Sequence, residues 1–174
     1  MPTAEQIKNA RRLITTAELL SIRLVRSSAD CLIPPRPPRA QGPQPRIFVR
    51  ASAPQTSAKL LAADRLLAKA KFRLIARLGT SPDSQLALKL AGTFELQYTL
   101  PHDLNPGRGE VTAFCKTNVM LNSWPYWREL VQNTVSRMSL PPLILPLFRL
   151  APPLSTGRGL GKPLEPNTLT KKLP

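Results

Sequence analysis

Between Leu66 and Leu100 the sequence alternates in two runs around a short turn, and this pattern restricts the fold more than any other feature. Ala70, Phe72, Leu74, Ala76 and Leu78 alternate with Lys71, Arg73 and Arg77. After TSPDS (residues 80–84), Leu86, Leu88, Leu90, Phe94, Leu96, Tyr98 and Leu100 share one row with Gly92. A period of two places successive side chains on opposite faces of a strand, and Ser, Pro and Asp make the link a turn. The two runs predict an antiparallel hairpin with one apolar face. Its other face, carrying Lys69, Lys71, Arg73, Arg77, Lys89 and Glu95, is a solvated surface. Gly92, which adds no side chain to the apolar row, is expected to mark a bulge or bend.

Upstream, Leu20, Ile22 and Leu24 alternate with Ser21 and Arg23, a strand pattern starting at Glu18. Ile47, Val49 and Ala51 alternate with Phe48, Arg50 and Ser52, a short second strand. Residues 59–71 are ambiguous: Ala, Leu and Lys favour helix, and alternation takes over from about Leu66. Residues 1–14, with mixed charge around Ile7, Leu13 and Ile14, suit either a short helix or a mobile arm. The prolines of residues 34–45 lack the amide hydrogens of a central strand and favour extended loop. Pro34, Pro35, Pro37 and Pro38 contain a P-x-x-P pattern, which such a composition produces by chance, so the loop reads as a linker.

Downstream the spacing changes. Val111, Phe114, Cys115, Val119 and Met120 suit a helix, and a further helix is expected to begin near Ser123 or Trp124. There Ser or Asn can cap, and Pro125 in the first turn has no hydrogen bond to lose. Trp124, Trp127, Val131, Val135 and Met138 form its apolar stripe, to lie on the sheet, and it must end before Pro141. In the following PPLILPLFRL the prolines forbid helix, yet Leu143, Ile144, Leu145, Leu147 and Phe148 are too apolar for an ordinary loop. An extended strap over helix or sheet satisfies both constraints. The expected organisation is an N-terminal segment (1–16), a domain (17–150) and a disordered basic tail rich in Pro and Gly (151–174).

The formal charge is +15, from 25 Lys and Arg against 10 Asp and Glu. It favours nucleic acid, anionic membrane or acidic protein as partner. A basic nucleic-acid-binding or ribosome-associated protein is thus the alternative reading, weakened because no aromatic stacking residues interleave the basic sheet face. Cys31 and Cys115 form no CxxC, so a disulfide framework and a structural zinc site are not indicated, and both are expected as buried thiols. His102 is the sole histidine and lies in a loop, which excludes a histidine-rich metal site. GRGLGKP (157–163) ends like a phosphate loop, but Pro163 stands where Ser or Thr is required. Glu129 beside Arg128, near the positive end of a helix, reads as a structural anchor. No acid, base and nucleophile converge, so neither an enzyme nor a cofactor is expected. The N-terminus shows no continuous apolar run, and a cytoplasmic location is expected.

Trp124-Pro125-Tyr126-Trp127-Arg128-Glu129, then Val135-Ser136-Arg137-Met138, then Leu140-Pro141-Pro142-Leu143-Ile144-Leu145 resemble the bacterial SecB protein-export chaperone family. They are similar to its F-P-Y-x-R-E helix start, its V-x-R helix end and its P-x-L-x-L strap. The double-Trp form is most similar to the SecB-like branch that includes chaperones paired with toxin and antitoxin genes. The resemblance implies an α+β fold, a four-stranded antiparallel sheet with helices on one face, assembled as a homotetramer (a dimer of dimers). It implies a molecular chaperone that holds unfolded or precursor polypeptides without ATP, with the Sec translocase motor or an antitoxin as further partner. Trp124, Tyr126, Trp127, Leu143, Leu145, Leu147 and Phe148 would then form a polypeptide-binding groove, with plain core burial as the competing reading for Trp127 and Leu145. Family members are typically acidic and end in a helix, whereas this chain is basic and continues as APPLSTGRGLGKPLEPN.

Overall fold

A computed structural model describes residues 4–33, 46–62 and 64–148; the proline-rich stretch at 34–45 and the basic tail lie outside the described residues. Five strands, β1 (Glu18–Cys31), β2 (Arg46–Ala51), β3 (Gln55–Ala62), β4 (Arg65–Gly79) and β5 (Gln85–Thr99), form one antiparallel sheet. β5 lies between β1 and β4. On the far side of β4, β2 runs along Leu74–Gly79 and β3 along Arg65–Lys71, so the two short strands share one lane. The expected four-stranded width is therefore four lanes filled by five strands. Lys59–Ala62, left between helix and strand by propensity, is the end of β3, because pairing with β4 outweighs local preference.

The β4–β5 hairpin aligns its apolar rows, with Ala68 opposite Leu96, Ala70 opposite Phe94 and Phe72 opposite Gly92. No bulge or bend interrupts the β4 pairing at Gly92. The slip lies instead between Ala76 and Arg77, which brings Leu86 opposite Arg77 and takes it out of the apolar row; Ala87 is buried there. In β1 the phase also differs from the simple alternation. Register shifts leave Leu20 and Val25 without paired partners, so Leu19, Ile22 and Leu24 face the same way as Tyr98, Leu96 and Phe94.

α1 (Ala4–Thr16) packs Ala10 and Leu13 into the core beside α2 (Arg108–Phe114). α2 passes through one wide π-helical turn (Cys115–Val119) into α3 (Met120–Arg137). The expected helix start at Ser123 or Trp124 is thus replaced by a helix that runs through Pro125 without ending. Ser123 does not cap it: its hydroxyl donates to the Val119 carbonyl at 2.6 Å. Leu121 and Pro125 are both exposed, so water can serve the carbonyl that Pro125 leaves unbonded.

The helices cover β4 and β5. Phe72 stacks on Trp127 with ring centroids 5.3 Å apart, and Tyr98 meets Phe114 edge-on at 5.0 Å. Arg12 joins α1 to α2 by donating to both carboxylate oxygens of Glu110 (3.1 and 3.0 Å). The Gly107 amide on the same carboxylate, with Arg12 adding to it, holds the Glu110 carboxyl below its usual range. Cys115 is buried as expected, whereas Cys31 is exposed because it ends the edge strand β1, which no helix covers.

Candidate functional site

The end of α3 sets the direction of the strap. Met138 leaves helical geometry, and Ser139 takes φ 53°, the left-handed region, with no glycine to ease it. The Ser139 amide donates to the Ser136 carbonyl (3.2 Å) and the Leu140 amide to the Val135 carbonyl (3.3 Å), the paired bonds of a Schellman cap. The chain reverses there, and Pro141 and Pro142 keep it extended as it returns along α3.

Two side chains one helical turn apart hold the returning backbone. Trp124 Nε1 donates to the Pro146 carbonyl and Arg128 Nε to the Leu145 carbonyl, each at 2.9 Å. Arg128 therefore serves the strap rather than pairing with Glu129, which is exposed and has no ion-pair partner among the described residues. Alternation along the extended strap buries Leu143 and Leu145 and leaves Ile144 78% exposed; the phase breaks at exposed Pro146, and Leu147 is 66% exposed. Phe148 is half-buried against the Trp124 ring, at a centroid distance of 5.7 Å.

The seven groove candidates separate by depth. Trp127 is 1% exposed and lies in the core, and Leu143 and Leu145 pack beneath the strap. Trp124 bridges core and surface, its ring 5.9 Å from that of Phe72. Tyr126, two residues on and so about 200° round the helix from Trp124, is 46% exposed, while Ile144, Leu147 and half-buried Phe148 are the apolar side chains that the strap itself presents. Ile144, the most exposed of these, was not among the expected groove residues. Its outward phase depends on which carbonyls Trp124 and Arg128 capture, a choice that composition does not encode.

Gly92 supports this arrangement from below. A Cβ there would lie 3.0 Å from Leu130 Cδ2 and 3.1 Å from Trp127 Cζ3, so the missing side chain is what lets α3 settle onto β5. A second apolar strip lies on β1, where Leu19, Leu20, Leu24 and Val25 are all more than 40% exposed. By contrast, a cleft of about 290 Å³ between β3 and α2 is mainly polar, lined in part by Thr56, Arg108, Thr112 and Lys116. Among the described residues, no three of His, Cys, Asp and Glu are placed to hold a metal, and no helix is long and apolar enough to cross a membrane.

The sequence matches no protein-family model and no curated protein. The fold is similar to that of the Mycobacterium tuberculosis SecB-like chaperone Rv1957, solved in complex with a ChAD peptide from the HigA1 antitoxin. The TM-score is 0.65 at 21% identity, covering 83% of this chain and 99% of that one. A looser likeness, TM-score 0.41 at 11% identity, joins 75% of this chain to 97% of a protein of unknown function from Streptococcus agalactiae. The architecture is thus SecB-like: an α+β fold with helices packed on an antiparallel sheet.

Proposed function

We propose that this protein is a molecular chaperone that holds unfolded or precursor polypeptides on the apolar surface around the strap, without ATP and in the cytoplasm. One observation carries the reading: the strap is fastened through its backbone carbonyls, which leaves Ile144 and Leu147 in water beside Phe148. A soluble domain gains nothing in its own stability from such exposed side chains, whereas an incoming apolar segment gains by covering them. Each client side chain buried contributes about 1.5–3 kcal/mol, so binding needs several contacts and no side-chain code. Trp127, Leu143 and Leu145 serve as the floor and Trp124, Leu147 and Phe148 as the wall beside the strap, with Tyr126 an outlying contact on the other side of α3.

The SecB-like fold supports this reading, as does the antitoxin peptide bound by the similar mycobacterial chaperone; an antitoxin is accordingly a candidate client. Assembly as a homotetramer is part of the proposal. β1 is a 14-residue edge strand with apolar side chains exposed, the kind of edge that isolated subunits seldom leave open. Light scattering is expected to give about four times the 19.2 kDa chain mass. The functional test is Ile144→Ser combined with Leu147→Ser, assayed for suppression of aggregation of a refolding substrate. Lost suppression with an unchanged thermal transition supports the groove. Full suppression by a folded double variant refutes it.

A further inference from the structure

The helices occupy only one side of the sheet, and the register of all five strands shows what the other side carries. β4 places Arg65, Lys69, Lys71, Arg73 and Arg77 on it. Opposite them β1 contributes Arg23 and Arg26, and β5 contributes Lys89. Lys59 of β3, with Arg46 and Arg50 of β2, extends the same face beyond β4. Against these cations stand Glu18, Asp30 and Glu95. Glu95 is already engaged, with Lys69 Nζ at 2.9 Å and Arg23 Nη2 at 2.6 Å. Lys71, Arg73 and Lys89 have no ion-pair partner among the described residues.

We infer that this helix-free face binds single-stranded nucleic acid through its phosphate backbone. Three features favour that occupant over an acidic protein. First, protein interfaces are depleted of Lys at their centre and carry an apolar core, whereas Lys69, Lys71 and Arg73 occupy the middle of this face and its larger apolar members stand towards its ends, Leu67 at one and Ile75, Leu86 and Phe48 at the other. Second, cations at alternate positions of β4 repeat about every 6.8 Å along one line, a track that a flexible charged strand can follow. Third, Thr93, Gln97 and Ser28 lie on the same face, and hydroxyls and amides of this kind also bond to phosphate oxygens. Among the described residues no helix projects from the face to enter a duplex groove, and Phe48 is the only ring on it, so binding without base readout follows.

The test measures fluorescence anisotropy of a labelled oligouridylate of about twenty nucleotides with the full-length protein across a salt series. In Lys71→Ala/Arg73→Ala/Lys89→Ala, affinity at low salt is expected to fall at least about tenfold, and the slope of log affinity against log salt by about 2, near 0.7 for each phosphate no longer neutralised. Lys71→Arg/Lys89→Arg is expected to retain binding, which separates lost charge from a damaged fold. A control removing the same charge from the helical side, Arg11→Ala/Lys116→Ala/Arg137→Ala, is expected to bind nearly as the parent does. The inference is overturned if this control weakens binding as much as the sheet-face variant. Tighter binding of a duplex overturns it too, as does polyglutamate binding with the same affinity and the same sensitivity to the triple change.

Discussion

Changing Gly92 to Ala adds one methyl group where β5 meets α3, and its cost can be worked from the neighbouring atoms. The new Cβ would lie 3.0 Å from Leu130 Cδ2 and 3.1 and 3.2 Å from two Trp127 ring atoms, all closer than ordinary van der Waals contact. Trp127 cannot retreat easily, since its ring is stacked at 11° on Phe72 and almost fully buried. Overpacking of this kind costs about 1–3 kcal/mol. Replacing Gly also narrows the unfolded ensemble, which returns about 0.4–1 kcal/mol. The expected net loss is about 1–2 kcal/mol, or a fall of about 1 M in the urea midpoint at a slope typical of small domains. Tryptophan fluorescence gives the transition directly, as Trp127 is in the core. The Leu130→Ala background should shrink the penalty, because one of the two neighbours is gone. A neutral or stabilising Gly92→Ala, or an equal penalty in both backgrounds, would refute the account of close approach.

Four further outcomes are expected. Ser139→Gly should raise thermal stability by about 0.5–1 kcal/mol, since the left-handed conformation costs other residues about 1–2 kcal/mol and only part is returned to the unfolded state; no gain in the melting curve would count against a strained cap. Lys69 first, then Arg23, hold the Glu95 carboxyl below its ordinary value of 4.5. The unfolded chain thus binds a proton before the folded one does, so this stabilisation is complete above about pH 4.5 and is lost as pH falls through the depressed value; urea titrations of Glu95→Gln should show a shallower acid limb. Burial pushes the Cys115 thiol up to about 11 from 9.0, so stability should decline between those values as the unfolded chain ionises first, and Cys115→Ala should make the decline shallower, with Tyr98, pushed by burial up to about 12 from 10.0, supplying the rest. In native protein a thiol reagent should modify exposed Cys31 quickly and Cys115 only on unfolding.

The hairpin of β4 and β5 was legible because its inward and outward rows follow from period two over most of its length, up to the slip beside Ala76 that takes Leu86 out of the apolar row. Failures occurred where a distant contact decides. The β1 phase depends on two register shifts against β5, so Leu20 reads as inward and is left unpaired. α3 passes Pro125 because the preceding turns already carry the helix, whereas sequence rules treat a proline there as a first-turn residue. Gly92 looks like a bend from one strand but is a clearance for Trp127, a residue 35 positions further along the chain. The expected groove set mixed buried and exposed side chains for the same reason: its residue types indicate apolar packing, and only the way the helix meets the sheet separates Trp127 from Tyr126.

The strap shows how an exposed apolar surface can depend on backbone register more than on composition. An extended segment can present either alternate row outward, and Leu143-Ile144-Leu145 is nearly symmetrical in hydrophobicity. What selects Ile144 is that Arg128 and Trp124 meet the carbonyls of Leu145 and Pro146. A slip of one residue would offer Leu143 and Leu145 to solvent and turn Ile144 inward. Because these anchors use main-chain oxygens, the outward side chains can vary without loosening the strap, so under the proposed chaperone role client preference can change while the fold is kept. Conversely, Arg128→Lys keeps the charge but not the planar guanidinium geometry that aims Nε at Leu145. It should therefore disturb polypeptide binding more than Ile144→Val does, although Arg128 itself need touch no client.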